Sequence, residues 1–596
     1  MSLRAAPEIE TIETDVLVIG TGGAGLRAAI EARRYGVDVL LVDKSLIGLN
    51  NNTRFSGAAF RVASPGGGAI GVASTFDYPL EHFKDTLRNG EFLNNQRLAE
   101  ILCFDAPARI LELMDFGLEK LTNMFMRYSF PHGTAIVKPL LATIEKMDVK
   151  TYRRWFPFDL LKEDNTVIGA LGFDTDTKKF VAVKAKSVVL ATGGAGEVFE
   201  RNEDAVTSTG DGYAMAYRAG AEFQEMEIVH FEPYVHAEPD LPMMDRHESA
   251  AGYYGILRNK LGEDFLPNYI PRIGPADGTF DEQFGIFMVD IRCHVSRAMA
   301  QEVYEGRGDK GAVLYDFTHV SEDTWQSDIP SKYLRYVLAR GYDVKKTPIH
   351  VFPAVICTLG GVRINEDCET NLTGLYAAGE VTGGLHGAMR PGGNALTDTI
   401  VFGARAGRSA AKRALSISMP GVNPEQVEEG KKMAGMILER PASKEGDPEE
   451  ITKQIKSIMW KHVGPLRDKE GLEDAIQVLE RIQKENLPKI FARSVSKLRP
   501  ALESINMLTT AQMIARAALL REESRGGHYR LDFPMRDDNN WLKNIVIRKD
   551  DGEMRLSTEP VVMTRFRPNE LPSDSPLARV LEGIERLKLE KLRGRS

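Results

Sequence analysis

The chain is predicted to be an α/β protein built on a parallel sheet, with a helical C-terminal region. Three observations predict this. Asp15–Ile19 is a valine-rich apolar run of the kind that forms a buried parallel strand, and a glycine turn and a helically spaced segment follow it. Two further apolar runs, at 187–191 and 374–378, also end in glycines. Beyond residue 421, PEQVEEGKKMAGMILER and GLEDAIQVLERIQKE combine helical periodicity with mixed charge, the pattern of solvated bundle helices.

In the first element, Gly20, Gly22 and Gly25 form GxGxxG, with Gly23 and Ala24 completing the turn. The second strand, VDVLLVD, ends at Asp43. Strand, glycine turn, helix, strand and acid is a dinucleotide site. The glycines let the backbone approach a pyrophosphate at a helix N-terminus, and Asp43 binds a ribose hydroxyl. Lys44 beside it is counted with the site. Ala191-Thr192-Gly193, then Asn202, Thr209 and Asp211, then Gly379-Glu380 bring two more segments to the same ligand. Strand ends spread this widely suit a large flavin better than a short NAD unit, so the expected core is a Rossmann-like FAD-binding domain.

The 596 residues suggest several domains. The net charge of -8 gives no reason to expect nucleic acid or an anionic membrane as partner. No run approaches the roughly 18 apolar residues of a membrane-spanning helix. MSLRAAPEIETIETD lacks an apolar signal segment, so a cytoplasmic protein is expected. Cys103, Cys293, Cys357 and Cys368 form no CxxC pair, so no metal site or disulfide framework is expected on this chain.

ATGGAGEVF, TGDGYAMAYRAGA, MEIVHFEP, GLYAAGE, HGAMRPGGNALTDTIVFGARAG and ESRGGHYRLDFPMRDDNNWL cover nearly the whole chain. Through them it closely resembles the flavoprotein subunit of the fumarate reductase and succinate dehydrogenase family. L-aspartate oxidase and the adenylylsulfate reductase alpha subunit belong to the same broader group. The resemblance implies an FAD-binding domain over 1–230 and 351–420, an inserted α+β capping domain over 231–350, and a C-terminal helical domain over 421–596.

It also implies a chemistry, in which a hydride moves between flavin N5 and one carbon of a C–C bond while a protein group moves a proton at the neighbouring carbon. Arg390 matches the family's substrate arginine, a planar fork for a carboxylate. Gly387, Gly392 and Gly393 let that loop come close, and Asn394-Ala395-Leu396 starts a helix whose positive end faces the flavin. Arg292 matches the arginine that moves the proton; its plainer reading is a helix-starting ion pair. Of the supporting relay Glu248 is kept, but Ala251 and Tyr253 replace an arginine and a glutamate. His386 lies beside the arginine loop and is expected near substrate. His132 and His528 are expected to be structural.

Several positions depart from the family pattern. Glu232 and Ile356 stand where histidines bind fumarate, and His247 stands for a threonine. Glu232 and His247 either serve the site or merely pair with each other. A substrate other than fumarate is expected, with one carboxylate or thioester and an apolar part facing Ile356, Tyr253 and Tyr254. Asn52, before Thr53, occupies the place of the histidine that binds FAD covalently, so noncovalent FAD is expected. The implied partner is an iron–sulfur or other electron-transfer subunit. The alternatives are an amino-acid oxidase of the L-aspartate oxidase type, an adenylylsulfate-reductase-like flavoprotein, and a noncatalytic flavin-binding scaffold.

Overall fold

The computed structural model describes residues 10–56, 60–63, 78–118, 124–125, 128–129, 133–241, 255–271, 290–326, 337–421, 424–571 and 576–593. Its main sheet has seven strands. At its centre β1 (Glu10–Ile19) pairs in parallel with β2 (Val39–Asp43) and β6 (Phe180–Leu190). Helix α1 (Gly23–Arg34) connects β1 to β2. β3 (Lys150–Arg153) extends one edge, β4 (Trp155–Glu163) and β5 (Thr166–Asp174) the other, and Leu375–Ala377 returns to lie parallel to β6. Val16, Leu17 and Val18 are fully buried, and α1 packs against β1 and β2. The three glycine-ended strands expected from the sequence therefore share one sheet.

A second, four-stranded sheet carries the insertion. β7 (Val229–His236) pairs antiparallel with β10 (Ile349–Thr358), and β9 (Val313–Asp316) joins β10 to β8 (Ile256–Arg258). β7 and β10 run through the expected boundaries near 230 and 351, so the insertion is continuous with the FAD-binding domain through two paired strands. Helix α2 (Arg292–Tyr304) lies against this sheet, and its Val295, Ala298 and Met299 share a core with Tyr234, Val313 and Tyr315.

The C-terminal region is helical at Pro424–Glu439 and Lys469–Arg481, where periodicity predicts it, and also at Pro448–Val463 and Leu498–Leu520. Two features differ from expectation. A hairpin, Lys543–Asp550 with Glu553–Pro560, adds to a small sheet with Phe223–Gln224 and Gly361–Val362. The final helix, Pro576–Arg593, buries Leu577, Val580 and Ile584 in the core of the inserted sheet. Among the described residues, no helix is long and apolar enough to cross a membrane.

Candidate active site

The end of β1 forms a tight cradle. Gly20 has φ +109, and a Cβ there would lie 2.1 Å from the Ala191 carbonyl oxygen. A Cβ on Gly25 would lie 1.9 Å from the Gly20 oxygen, so both positions require glycine. The Gly23 amide donates to Thr53 Oγ1 at 3.0 Å, which places Thr53 and Asn52 beside this turn. Asp43 accepts from the Thr21 amide and hydroxyl and from the Ser45 amide at 2.7 Å. It braces the turn and keeps lone-pair capacity for a ribose hydroxyl. Thr192 Oγ1 is buried without a hydrogen-bond partner among the described residues, and Gly193 beside it, at φ +75, faces open space. These features fit a bound dinucleotide.

Some of the expected cofactor residues are committed elsewhere. Lys44 Nζ donates to Thr209 Oγ1 at 2.6 Å, Asp211 Oδ2 at 2.5 Å and Glu503 Oε1 at 2.8 Å. An ammonium has three protons, so its donors are used up. Asn506 donates to the other Asp211 oxygen at 2.7 Å. Lys44, Thr209 and Asp211 thus fasten the FAD-binding sheet to the Leu498–Leu520 helix. Asn202 is spent on a turn, donating to the Phe199 carbonyl at 3.0 Å and accepting from the Asp204 amide at 3.1 Å.

Asn52 lies between two carboxylates. Its Nδ2 donates to Asp204 Oδ1 at 3.0 Å and Glu380 Oε2 at 3.1 Å. Burial, with the nearby Glu380 charge, lifts Asp204 well above the usual carboxylate range. Burial likewise pushes Glu380 up to about 7 against its hydrogen bonds from Asn52 and Thr358.

The arginine loop is built from both ends of the chain. Gly393, at φ +80, caps helix α3 (Asn394–Ser416). Ala388 donates its amide to Gly90 and accepts from Gly527, so the C-terminal SRGGHYR turn buttresses the loop. Asn394 does start the helix, but its side chain bonds His82 Nε2 at 2.7 Å and Thr86 Oγ1 at 3.0 Å. Of Asn394, the backbone at the helix start, and not the side chain, remains for a cofactor. Asp290 accepts two bonds from Arg61 Nη1, at 3.0 and 2.9 Å, and one from the Gly392 amide at 2.9 Å. It thereby ties the start of α2 to the arginine loop.

Arg292 opens α2, and its Nη1 lies 2.8 Å from Glu232 Oε2, both side chains being buried. Glu232, expected either to serve the site or to pair with His247, has Arg292 as its partner among the described residues. Its charge balances Arg292. His247, Glu248, Ala251, Tyr253, Tyr254 and His132 lie outside the described residues. His528 is buried against Arg467 at 2.7 Å and is structural, as expected.

Arg390 is buried and donates from Nη1 to the Pro391 carbonyl at 3.1 Å. His386 lies 3.6 Å from Asp398, and burial, with the nearby Arg390 charge, keeps its ring below the usual imidazole range. Sequence reasoning missed His230. It faces Cys357 across the β7–β10 ladder, with Cys357 Sγ 3.6 Å from Nδ1. Burial and the positive fields of Arg390 and Arg292 push His230 well below the ordinary value, so both histidines are neutral. The available signal was position, two residues before Glu232 on a strand. Arg390 Nε, His386 Nδ1 and His230 Nε2 have no hydrogen-bond partner among the described residues. An unmet guanidinium nitrogen with two unmet histidine nitrogens near it is a ligand-binding signature.

Residues 15–396 match the family model of an FAD binding domain, and 452–572 that of the fumarate reductase flavoprotein C-terminal region. A fumarate reductase (CoM/CoB) polypeptide of Methanothermobacter marburgensis is 35% identical over 565 residues, 91% of this chain and 98% of that protein. The fumarate reductase flavoprotein subunit of Mycobacterium tuberculosis is 31% identical over 608 residues, 94% of this chain and 99% of that protein. The chain belongs to the fumarate reductase and succinate dehydrogenase flavoprotein family. Among solved structures, a variant of the E. coli quinol fumarate reductase flavoprotein superposes with TM-score 0.82 at 28% identity, covering 94% of this chain and 98% of that one. This family member is an FAD-dependent oxidoreductase.

Proposed function

We propose that this flavoprotein interconverts a C=C and a C–C bond beside a single carboxylate, in a substrate whose other end is neutral. The observation that carries this reading is the charge of the site. Arg390 is its one uncompensated cation among the described residues, since Glu232 neutralises Arg292 and both histidines are neutral. A second substrate carboxylate would enter a buried pocket without a second counter-charge, which is costly. Ile356 packs with Leu93, Ile228 and Leu359, so apolar surface adjoins this end of the site.

Bound FAD supplies the hydride donor or acceptor. Arg390 holds and polarises the substrate carboxylate, and its fork fixes the orientation. Arg292, held by Glu232, moves the proton at the neighbouring carbon. Handing over a proton takes the Arg292–Glu232 pair from net zero to one negative charge, so a proton must return to the pair before the next turnover. The helix α3 N-terminus favours negative charge on the reduced cofactor. Asn52 offers a carboxamide, which is no nucleophile for a covalent flavin bond, so FAD is held noncovalently. Electrons pass to or from a separate redox subunit, in keeping with relatives named as subunits.

Fumarate and its monomethyl ester test this reading, because they differ only in the charge of one end. With reduced viologen as electron donor, the monoester should have the higher kcat/KM. A second reading, fumarate itself, is favoured by the name of the Methanothermobacter relative. Fumarate turnover at the usual enzymatic rate of roughly ten per second, with no advantage for the monoester, would establish that reading instead.

A further inference from the structure

We infer that Cys357 is a positioning residue that fixes the tautomer of His230, making Nε2–H a neutral donor to a carbonyl oxygen at the uncharged end of the substrate. The inference deepens the single-carboxylate reading and rests on it. It starts from a count of donors and acceptors. Cys357 Sγ lies 3.6 Å from His230 Nδ1, and the two residues are directly paired across β7 and β10. If Nδ1 carried the ring proton, sulfur would accept it, its own S–H would be left over and Nε2 would be an unmet acceptor. With the proton on Nε2, the thiol donates to Nδ1 and Nε2–H remains as the donor that no described residue meets.

The ionisation states agree. Burial pushes the Cys357 thiol up to about 12 despite the nearby Arg390 charge, so the S–H is retained. Burial of the His230 ring, with the nearby charges of Arg390 and Arg292, disfavours a further positive charge. A neutral N–H satisfies a neutral carbonyl, whereas an imidazolium would favour a second carboxylate. The Cys357–His230 pair thus favours a neutral substrate oxygen over a second carboxylate.

Two measurements on the FAD-loaded enzyme test this. The first is independent of substrate. Nitrogen NMR of histidine-labelled protein should show His230 protonated at Nε2 in wild type and in Cys357→Ser, and mixed in Cys357→Ala. A ring protonated at Nδ1 in wild type overturns the inference whatever the substrate proves to be. The second is turnover. His230→Phe should reduce kcat/KM for monomethyl fumarate about tenfold, the scale of one neutral hydrogen bond. Fumarate should be affected less, Cys357→Ser should stay near wild type, and Cys357→Ala should fall between. Equal losses on both substrates, or a Cys357→Ser variant as impaired as Cys357→Ala, would make the pair merely structural. Correct NMR with fumarate preferred over its ester would sink the single-carboxylate reading and leave the tautomer assignment standing.

Discussion

Arg390 is the residue whose setting explains most about the site. A buried guanidinium is costly unless its five donors are met, and here Nε is met by none of the described residues. Arg390→Lys keeps the charge and loses the fork; Arg390→Ala loses both. With charge-assisted bonds contributing about 1.5–3 kcal/mol each, the alanine variant should lose at least about a hundredfold in kcat/KM. The lysine variant should fall between it and wild type. FAD content, read after acid precipitation, should stay near normal, with all flavin in the supernatant, because the Gly20–Gly25 cradle lies on another strand end. Apo-protein with normal activity in the residual holoenzyme would assign Arg390 to the cofactor. Arg390 and the glycine cradle were legible in the sequence because each is a local pattern with its reason nearby. His230 and Cys357 were not, since they are 127 residues apart and meet only through strand pairing. The link from Lys44 to the Leu498–Leu520 helix was not legible either, because its partner Glu503 is 459 residues away.

At the level of elements, the two arginines need a common frame. Asp290 provides it by binding Arg61 and the Gly392 amide, so the beginning of α2 and the loop before α3 move together. Asp290→Ala would leave Arg61 buried with less compensation, its contact to Asp85 being 3.5 Å. Breaking a buried pair in this way typically costs about 3–5 kcal/mol. The variant should melt at a clearly lower temperature, and kcat should fall because Arg292 and Arg390 lose register. The midpoint is the readout, since a chain of several domains need not unfold in one step. A wild-type midpoint with wild-type kcat would remove Asp290 from this role. The elements themselves were legible where periodicity was strong, as in β1, α1 and the C-terminal helices Pro424–Glu439 and Lys469–Arg481. The Lys543–Pro560 hairpin was not, because part of its pairing is with Phe223–Gln224, far away in the chain.

On the scale of the whole molecule, the inserted sheet is joined to the FAD-binding domain where β7 leaves and β10 returns, and His350 clamps that junction. Its Nδ1 lies 2.8 Å from Glu238, just beyond β7, and its Nε2 lies 2.7 Å from Asp309, beyond α2. Burial works against a charged ring, but hydrogen bonds and attraction from Asp309 and Glu238 outweigh it and raise His350 above its ordinary 6.5. Asp309 is correspondingly held below its ordinary 3.8, chiefly by the bond from His350. The signs then follow from linkage. A raised histidine contributes stability that is fully present below 6.5 and is lost as pH rises through the higher folded value. A lowered aspartate contributes above 3.8 and loses its effect as pH falls through the folded value. The clamp is therefore strongest from just above 3.8 to about 6.5 and weakens on the alkaline side. His350→Gln keeps hydrogen-bonding capacity but removes the titratable charge. Its melting temperature should lie below wild type near pH 6, and the gap should close toward roughly pH 9, where the wild-type ring is neutral. Thermal melts of both holoenzymes across that range decide the matter, and a gap that is constant or widens with pH would mean that His350 holds the junction by packing and not by charge.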